Sequence, residues 1–162
     1  MNFTAKHIPF RQACAFIAAH HRHHKPPQGC IVCIGLFQAA ELVGVAVIGR
    51  PVSRMIQARG DTVELTRLCV LEDVPFAASA LQARARRVAQ ALGYSKLITY
   101  TLPEEGGASL RAAGAVQEGE AGGGQWTRPS RGRALASDEI TGRKIRSAWA
   151  LRPDPVNLGV FA

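Results

Sequence analysis

The chain of 162 residues is 47% apolar and 20% charged, which favours one globular domain and excludes a disordered or membrane-spanning chain. We expect a cytoplasmic protein, because residues 16–19 run directly into a His/Arg/Lys cluster, unlike the apolar core of a signal peptide. The formal net charge of +8 favours anionic partners, such as nucleic acid or a phosphate-bearing cofactor.

The first part of the chain predicts a helix followed by two strands. Apolar residues recur with helical spacing over residues 8–20, and two prolines at 26–27 end this helix. Two apolar runs, 30–38 and 42–48, are separated by a short turn, which predicts a β-hairpin.

The middle of the chain predicts a strand–helix–strand unit. Residues 62–71 and 96–102 are rich in β-branched and apolar residues, as central strands are. Between them, residues 76–92 are rich in Ala, Leu, Gln and Arg, and this predicts a helix that stops at Gly93. A right-handed crossover of this kind pairs the two strands in parallel.

The remainder of the chain is less periodic. We expect a short helix over 106–113, a flexible loop over 119–124 and a last strand beginning at 125–127. The sequence therefore suggests a domain over residues 1–133 and a basic C-terminal extension over 134–162 that packs on or beside it. The arginines after the last strand either aid solubility or bind phosphates beside an active site.

Cysteines and histidines are the candidate metal ligands. Cys30 and Cys33 have a C-x-x-C spacing, but positions i and i+3 of a strand point to opposite faces, and the second pair of a zinc ribbon is absent. Buried reduced thiols are the expected state. His20 and His24 share a helical face with no carboxylate nearby in sequence. We therefore predict no metal site and place His24 at a basic helix end that contacts substrate or solvent.

Glu64 and Arg67 interrupt the otherwise apolar strand over 62–71. Buried charge is costly unless it is paired or functional. The two side chains point to opposite faces of a regular strand, whereas one β-bulge between them would bring both to one face. Two explanations are open. Either Glu64 and Arg67 are structural, as an ion pair or as exposed residues of an edge strand, or they are a polar pair in a cleft that opens near residues 67–69.

Two further features lie where open α/β sheets bind ligands. Ala77, Ala78 and Ser79 stand near the start of the predicted helix, where small side chains let a pyrophosphate reach backbone N–H groups. An ordinary alanine-rich helix gives the same pattern. Tyr100 lies at the end of the strand over 96–102, where a phenol can protonate a leaving thiolate, and tyrosine is also a common strand residue.

The order of these elements resembles that of the GNAT superfamily of acyl-CoA N-acyltransferases. Taken as an ordered set, several segments also resemble an uncharacterised phage and prophage family distantly related to Mom DNA-modification proteins. These segments are HHRHHKPPQG (20–29), VGVAVIGRPVSR (43–54), ELTRLCV (64–70), ALGYSKLITYTLPEEGGASLRAAG (91–114) and QWTRPSRGR (125–133). The resemblance implies an α/β (α+β) fold, in which helices flank a mixed, strongly twisted sheet with a splayed central strand pair.

The resemblance also implies roles for individual residues. Acetyl-CoA or another acyl-CoA would lie in the gap between the splayed strands, where Glu64 would accept the proton of an attacking amine and Tyr100 would protonate the thiolate. Backbone N–H groups would polarise the thioester at Leu68, Cys69 and Val70. The pyrophosphate would meet Ala77, Ala78 and Ser79, with Ser109 on the following short helix. The acceptor side would be lined by Arg50, Arg54, Arg67 and His24.

Three functions remain open from the sequence. The first is an acyltransferase acting on a small-molecule or nucleic-acid acceptor. The second is a DNA base-modifying enzyme of the Mom-like kind, favoured by the basic charge and by the resemblance. The third is a non-catalytic binding module on the same fold, favoured because the phosphate loop lacks the spaced glycines usual in the superfamily.

Overall fold

The computed structural model describes residues 2–21, 25–121 and 143–152, which form a mixed sheet with helices on both faces. The strands are β1 (Phe3–His7), β2 (Val32–Gln38), β3 (Glu41–Gly49), β4 (Thr62–Val70), β5 (Lys96–Thr101), β6 (Val116–Ala121) and β7 (Lys144–Ala150). The helices are α1 (Phe10–His20), α2 (Arg54–Gln57), α3 (Ala77–Ala91) and α4 (Ala108–Ala112). None of these helices is long and apolar enough to cross a membrane.

The sheet has the order β1-β2-β3-β4-β5-β7-β6. Only the central β4–β5 pair is parallel among the described strands, and the crossover between them is α3. The expected mixed sheet flanked by helices is confirmed. The β2–β3 hairpin turns through Ala39 and Ala40, both with positive φ, a conformation that matches the twist of the flanking strands.

Each face of the sheet has its own apolar core. On one face, Ala13 and Ile17 of α1 pack against Val45 and Val47 of β3. On the other face, α3 packs across the sheet and α4 lies beside it. Trp149 of β7 is 2% exposed in this second core, and its indole N–H donates to the carbonyl of Ala113 after α4 (2.9 Å). The strand β7 is thereby fixed to the α3 side of the protein.

The sheet is larger than the sequence suggested. The strand β1 and the short helix α2 were not predicted, and residues 119–121, expected in a loop, belong to β6. Residues 144–150, expected in a basic extension, form β7 in the interior of the sheet, between β5 and β6. The sheet therefore extends past residue 133, while the strand expected at 125–127 lies outside the described residues.

Candidate functional site

A β-bulge interrupts the pairing of β4 with β3. Val47 pairs with Arg67 and the next residue, Ile48, pairs with Leu65, so Thr66 is the extra residue. The Thr66 hydroxyl donates to the carbonyl of Val47 (3.2 Å), which holds the bulge in place. A bulge here brings Glu64 and Arg67 to one face of the strand, which is one of the alternatives that the sequence left open.

The other side of β4 separates from β5. The two strands pair in parallel only over residues 62–64 and 96–98. Just beyond, the Thr99 hydroxyl donates to the carbonyl of Leu65 (3.1 Å), and the carboxyl halves of the strands no longer pair with each other. The predicted gap is present, and it opens from Leu65 onward, slightly earlier than residues 67–69.

Glu64 lies at the mouth of this gap, on the sheet face that α1 covers over β3. It pairs with Gly49, which alternation places on the same face as Val47. The carboxyl is 6% exposed, and its Oε2 accepts a hydrogen bond from the backbone N–H of Val52 (2.9 Å). Burial raises the pKa of Glu64, against the opposing effects of this hydrogen bond and of nearby Lys144 and Arg67.

Tyr100 lies on the same face of the sheet. Glu64 is level with Ile98 of β5, and Tyr100 is two residues further along that strand. Burial raises the pKa of the phenol, and the charge of Glu64 raises it further. A hydrogen bond from Arg146 acts in the opposite direction. The two side chains proposed from the sequence as base and acid are thus electrostatically coupled at the opening of the gap.

Arg67 ties the strand to the segment that follows α1. Its Nε donates to the carbonyl of Lys25 (2.9 Å), and one terminal nitrogen donates to the carbonyl of Thr66 (2.7 Å). Burial lowers the pKa of this guanidinium, and the charge of Glu64 opposes the shift. Arg67 therefore holds the chain at the site, while His24, expected beside it on the acceptor side, lies outside the described residues.

The three backbone positions proposed to polarise the thioester are not equivalent. The N–H of Leu71 donates to the carbonyl of Val43 (2.9 Å), so alternation points the N–H of Cys69 toward β3 as well. The N–H groups of Leu68 and Val70 then point to the opposite side, into the gap. Two of the three N–H groups therefore point into the gap, and the N–H of Cys69 does not. The thiol of Cys69 is buried, and burial raises its pKa to about 11.

The start of α3 has an unusual backbone. Phe76, just before the helix, has φ of 65° and is 72% exposed, which is an uncommon conformation for a bulky residue. Its carbonyl accepts hydrogen bonds from the N–H of Ala80 (2.9 Å) and the hydroxyl of Ser79 (3.0 Å). Within the described chain, the N–H groups of Ala78 and Ser79 have no backbone partner and stand at the positive end of the helix. Ala77, in contrast, is fully buried, with its N–H near the carbonyl of Val74 (3.4 Å).

Ser109 of α4 joins the same region through α3. Its hydroxyl accepts a hydrogen bond from the Gln82 amide (3.2 Å), and Gln82 is 3% exposed. The amide oxygen of Gln82 is buried without a partner among the described residues. Ser109 therefore lies in a polar contact between α3 and α4.

Arg50 lies exposed just after β3 and Arg54 lies exposed at the start of α2, on either side of Val52, whose N–H binds Glu64. Val52 is 62% exposed and Met55 is 83% exposed, so the segment over residues 50–55 presents basic and apolar side chains together. Its backbone contacts the buried carboxyl at Val52.

Sequence reasoning missed the basic residues of β7 and their partner in β6. Lys144 acts electrostatically on Glu64, and Arg146 pairs with Tyr100 across the β5–β7 ladder. Glu118 binds Arg146 and Lys96. The sequence signal that could have predicted β7 was the alternation in KIRSAWA (144–150), in which Lys144 and Arg146 lie on one face of a strand while Ile145 and Trp149 lie on the other.

The cysteines differ from expectation in one respect. Cys30 precedes β2 instead of lying within it, so the alternation of a regular strand does not separate its thiol from that of Cys33. Both thiols are free. Burial, the largest effect, together with Cys30 raises the pKa of Cys33 to about 12. Among the described residues, no group of histidine, cysteine and acidic side chains is arranged to hold a metal ion.

Solved structures similar to this chain are acetyltransferases. An acetyltransferase from Bacillus subtilis in complex with CoA aligns with a TM-score of 0.63 at 13% identity, over 93% of this chain and 100% of that one. A GNAT superfamily phosphinothricin acetyltransferase from Sinorhizobium meliloti in complex with AcCoA aligns with a TM-score of 0.66 at 15% identity, over 99% and 96%. The ribosomal-protein-S18-alanine N-acetyltransferase from Escherichia coli aligns with a TM-score of 0.62 at 13% identity, over 96% and 98%. The fold is therefore that of the GNAT superfamily.

Within that fold class, a narrower match comes from the sequence. The model of the Mom protein family matches residues 2–113, and the chain belongs to this family. No curated protein matches the chain. The resemblance to GNAT and Mom proteins is confirmed at the level of family and fold.

Proposed function

We propose that this protein is an acyl-CoA-dependent N-acyltransferase in which an amine attacks the thioester directly. The observation that carries the proposal is the placement of Glu64 and Tyr100 together, at the point where β4 and β5 separate. A general base and a general acid held on one face of a gap are what amide formation from a thioester requires. Positioning of both reactants in the gap supplies much of the rate.

Each reacting atom has a matching group in the site. Glu64 accepts the proton that the amine loses as its nitrogen bonds to the thioester carbon. The N–H groups of Leu68 and Val70 donate to the carbonyl oxygen while negative charge develops on it. Tyr100 gives its phenolic proton to the sulfur as the carbon–sulfur bond breaks. The products are an amide and free CoA thiol, and the protons balance through Glu64 and Tyr100.

The start of α3 fits the pyrophosphate of acyl-CoA. Unpartnered N–H groups at Ala78 and Ser79 offer hydrogen bonds at the positive end of the helix dipole, and the small side chains allow close approach. Ser109 and the amide of Gln82 supply a polar contact between α3 and α4, and the unpartnered amide oxygen of Gln82 adds an acceptor there. The residues present therefore suit an acyl-CoA despite the lack of spaced glycines.

The acceptor side is basic. Arg67 and Lys144 act electrostatically on the Glu64 carboxyl, and Arg50 and Arg54 lie on either side of Val52, whose N–H binds that carboxyl. Their charge favours an acceptor that carries phosphate or carboxylate and disfavours a polyamine.

The test combines binding with transfer. We expect acetyl-CoA to raise the melting temperature of the full-length protein more than fragments of the cofactor such as adenosine or pantetheine do. Each fragment makes only part of the contacts that the proposed site offers to the whole cofactor. Labelled acetyl-CoA is then incubated with separate pools of amino acids, nucleotides and oligodeoxynucleotides, and both labelled product and released thiol are measured. Binding without transfer to any pool would favour the non-catalytic module, and the absence of acetyl-CoA binding would refute the proposal.

A DNA base as the acceptor is the second candidate. The exposed loop that joins Arg50 and Arg54 to Val52 and Met55 favours it, because basic and apolar side chains together suit a nucleic-acid surface. The Mom resemblance supports the same acceptor. Each phosphate contact contributes a slope of roughly 0.9 to the log–log salt dependence of duplex binding. We expect Arg50→Gln and Arg54→Gln together to flatten that slope by about one to two units. An unchanged slope would exclude this loop as a phosphate contact.

A further inference from the structure

Arg146 lies directly opposite Tyr100 in the antiparallel β5–β7 ladder. Side chains of such a pair project from the same face and lie within contact distance. Arg146 lowers the pKa of the Tyr100 phenol, both as a hydrogen-bond donor and as a positive charge, so its guanidinium faces the phenol oxygen. Arginine has donors and no acceptor, so a hydrogen bond between the two side chains runs from the guanidinium to the phenol oxygen. A phenol that accepts from Arg146 directs its own proton away from Arg146.

Glu118 fixes the position of Arg146. Gln117 pairs with Ser147 and Gly119 pairs with Arg146, so Glu118 is the extra residue of a second β-bulge and lies beside Arg146. Its Oε2 accepts from the Nε of Arg146 (2.9 Å), and its Oε1 binds the Lys96 ammonium (2.5 Å). The Arg146 side chain is 32% exposed. A guanidinium held through Nε leaves its terminal nitrogens for Tyr100.

We propose that Arg146, held by Glu118, is a positioning residue that turns the phenolic proton of Tyr100 into the gap between β4 and β5. The catalytic benefit of this orientation rests on the proposed role of Tyr100 as the acid, whereas the contact itself rests on the cross-strand pairing of Arg146 with Tyr100. Arg146 also stabilises the phenolate that forms when the proton leaves, because a charge-assisted hydrogen bond strengthens as the acceptor gains charge.

The charged groups around the phenol set the direction of its titration. Glu64 faces Tyr100 from β4 and Glu118 from β6, and both favour the neutral phenol. Arg146 from β7 favours the phenolate, while Lys96 of β5 neutralises part of the Glu118 charge. Removing Arg146 therefore raises the pKa of Tyr100, and it also leaves the phenolic proton free to take other orientations.

The first test measures this titration without any substrate. The sequence has two tyrosines, so Tyr94→Phe leaves Tyr100 as the single reporter. Difluorotyrosine incorporated there makes the phenol more acidic, and fluorine NMR follows its ionisation while circular dichroism checks the fold at each pH. We expect Arg146→Met to raise the midpoint by about one to two pH units, the effect of losing one hydrogen bond to a charged group.

Arg143→Met is the matched control. Arg143 forms an equivalent pair with Glu120 (2.9 Å) near the start of β7, but its side chain is 77% exposed. We expect that variant to leave the Tyr100 midpoint unchanged. If Arg146→Met fails to fold, Arg146→Lys carries the test, because it keeps the charge and loses the fixed fork of donors. Equal midpoints for the parent and the folded Arg146 variant would overturn the proposal.

The second test measures acyl transfer from acetyl-CoA in the full chain. We expect Glu118→Gln to lower kcat about tenfold with little change in KM, and to cause no further loss in an Arg146→Met background, since it acts through that residue. Independent, additive losses would overturn the positioning role. Full activity of Tyr100→Phe would instead refute the acid in the proposed function, whereas the titration tests the Arg146–Tyr100 contact whether or not transfer occurs.

Discussion

Replacing Glu64 by glutamine separates chemistry from folding. The amide retains an oxygen that can accept the hydrogen bond from the Val52 N–H (2.9 Å in the wild type), and it has almost the same volume in a site that is 6% exposed. It has no proton-accepting carboxylate. A general base contributes on the order of 10²–10⁴-fold, so we expect a loss of turnover in that range.

The effect on stability should have the opposite sign. Burial raises the pKa of Glu64 in the folded protein, so the folded state holds this proton at pH values where the unfolded chain has released it. The free energy of unfolding therefore falls as the pH rises from the ordinary carboxyl pKa through the raised one. Glu64→Gln removes that decrease, and we expect it to be as stable as the wild type, or more stable, at neutral pH.

The assay pairs thiol release from acetyl-CoA with urea denaturation across a pH series. Glu41→Gln is the matched control, because Glu41 is an exposed carboxylate at the start of β3. It should change neither measurement. The reasoning is refuted if Glu64→Gln transfers acyl groups at the wild-type rate, or if its unfolding free energy falls with pH as the wild type does.

Two further substitutions test the cofactor site and the sheet. Ala78→Glu should weaken acetyl-CoA binding at least about tenfold in calorimetry, because it places a negative charge next to the pyrophosphate; the melting temperature should not fall, since a helix N-terminus favours acidic side chains. The control Gln12→Glu, in the first turn of α1, should leave binding unchanged, and equal affinities of Ala78→Glu and the wild type would exclude the start of α3 as the pyrophosphate site. Trp149→Ala should lower the free energy of unfolding by roughly 3–5 kcal/mol in urea denaturation, since it empties a buried site and removes the hydrogen bond to the Ala113 carbonyl. A decrease below about 1 kcal/mol would contradict the interior position of β7.

The sequence predicted the strand–helix–strand unit well, because its signals are local. Segments rich in β-branched and apolar residues predicted β4 and β5, and an alanine-rich composition ending at Gly93 predicted α3. The sequence did not predict β6 and β7. In β6, VQEGEA has exposed polar residues and a glycine with φ of 116°, which resemble a loop, and it becomes a strand by pairing with a segment more than twenty residues later in the chain. Long-range pairing of this kind leaves little trace in a single sequence.

The placement of β7 changes what can be learned from the basic C-terminal part of the chain. Removing everything after residue 133 would delete an interior strand and the buried Trp149, so the expected result is unfolding, and a changed salt dependence would say nothing about phosphate contacts. Substitutions of single arginines are needed instead. Arg143, which is 77% exposed, reports on surface charge, whereas Arg146, which is paired with Tyr100, reports on the site.

Two bulges explain why the site could be only half predicted. A strict period of two assigns each residue of a strand to one face, and under that rule Glu64 and Arg67 separate. One extra residue in β4, Thr66, brings them together, and one extra residue in β6, Glu118, provides an anion beside Arg146. The charged pair inside an apolar strand was a conflict within the sequence that pointed to the first bulge. No such conflict marks the second, because polar residues on both faces of β6 are compatible with any register. The two side chains proposed as base and acid were therefore accessible from the sequence, whereas Arg146 and Glu118, proposed to orient Tyr100, became visible only in the pairing of β5, β6 and β7.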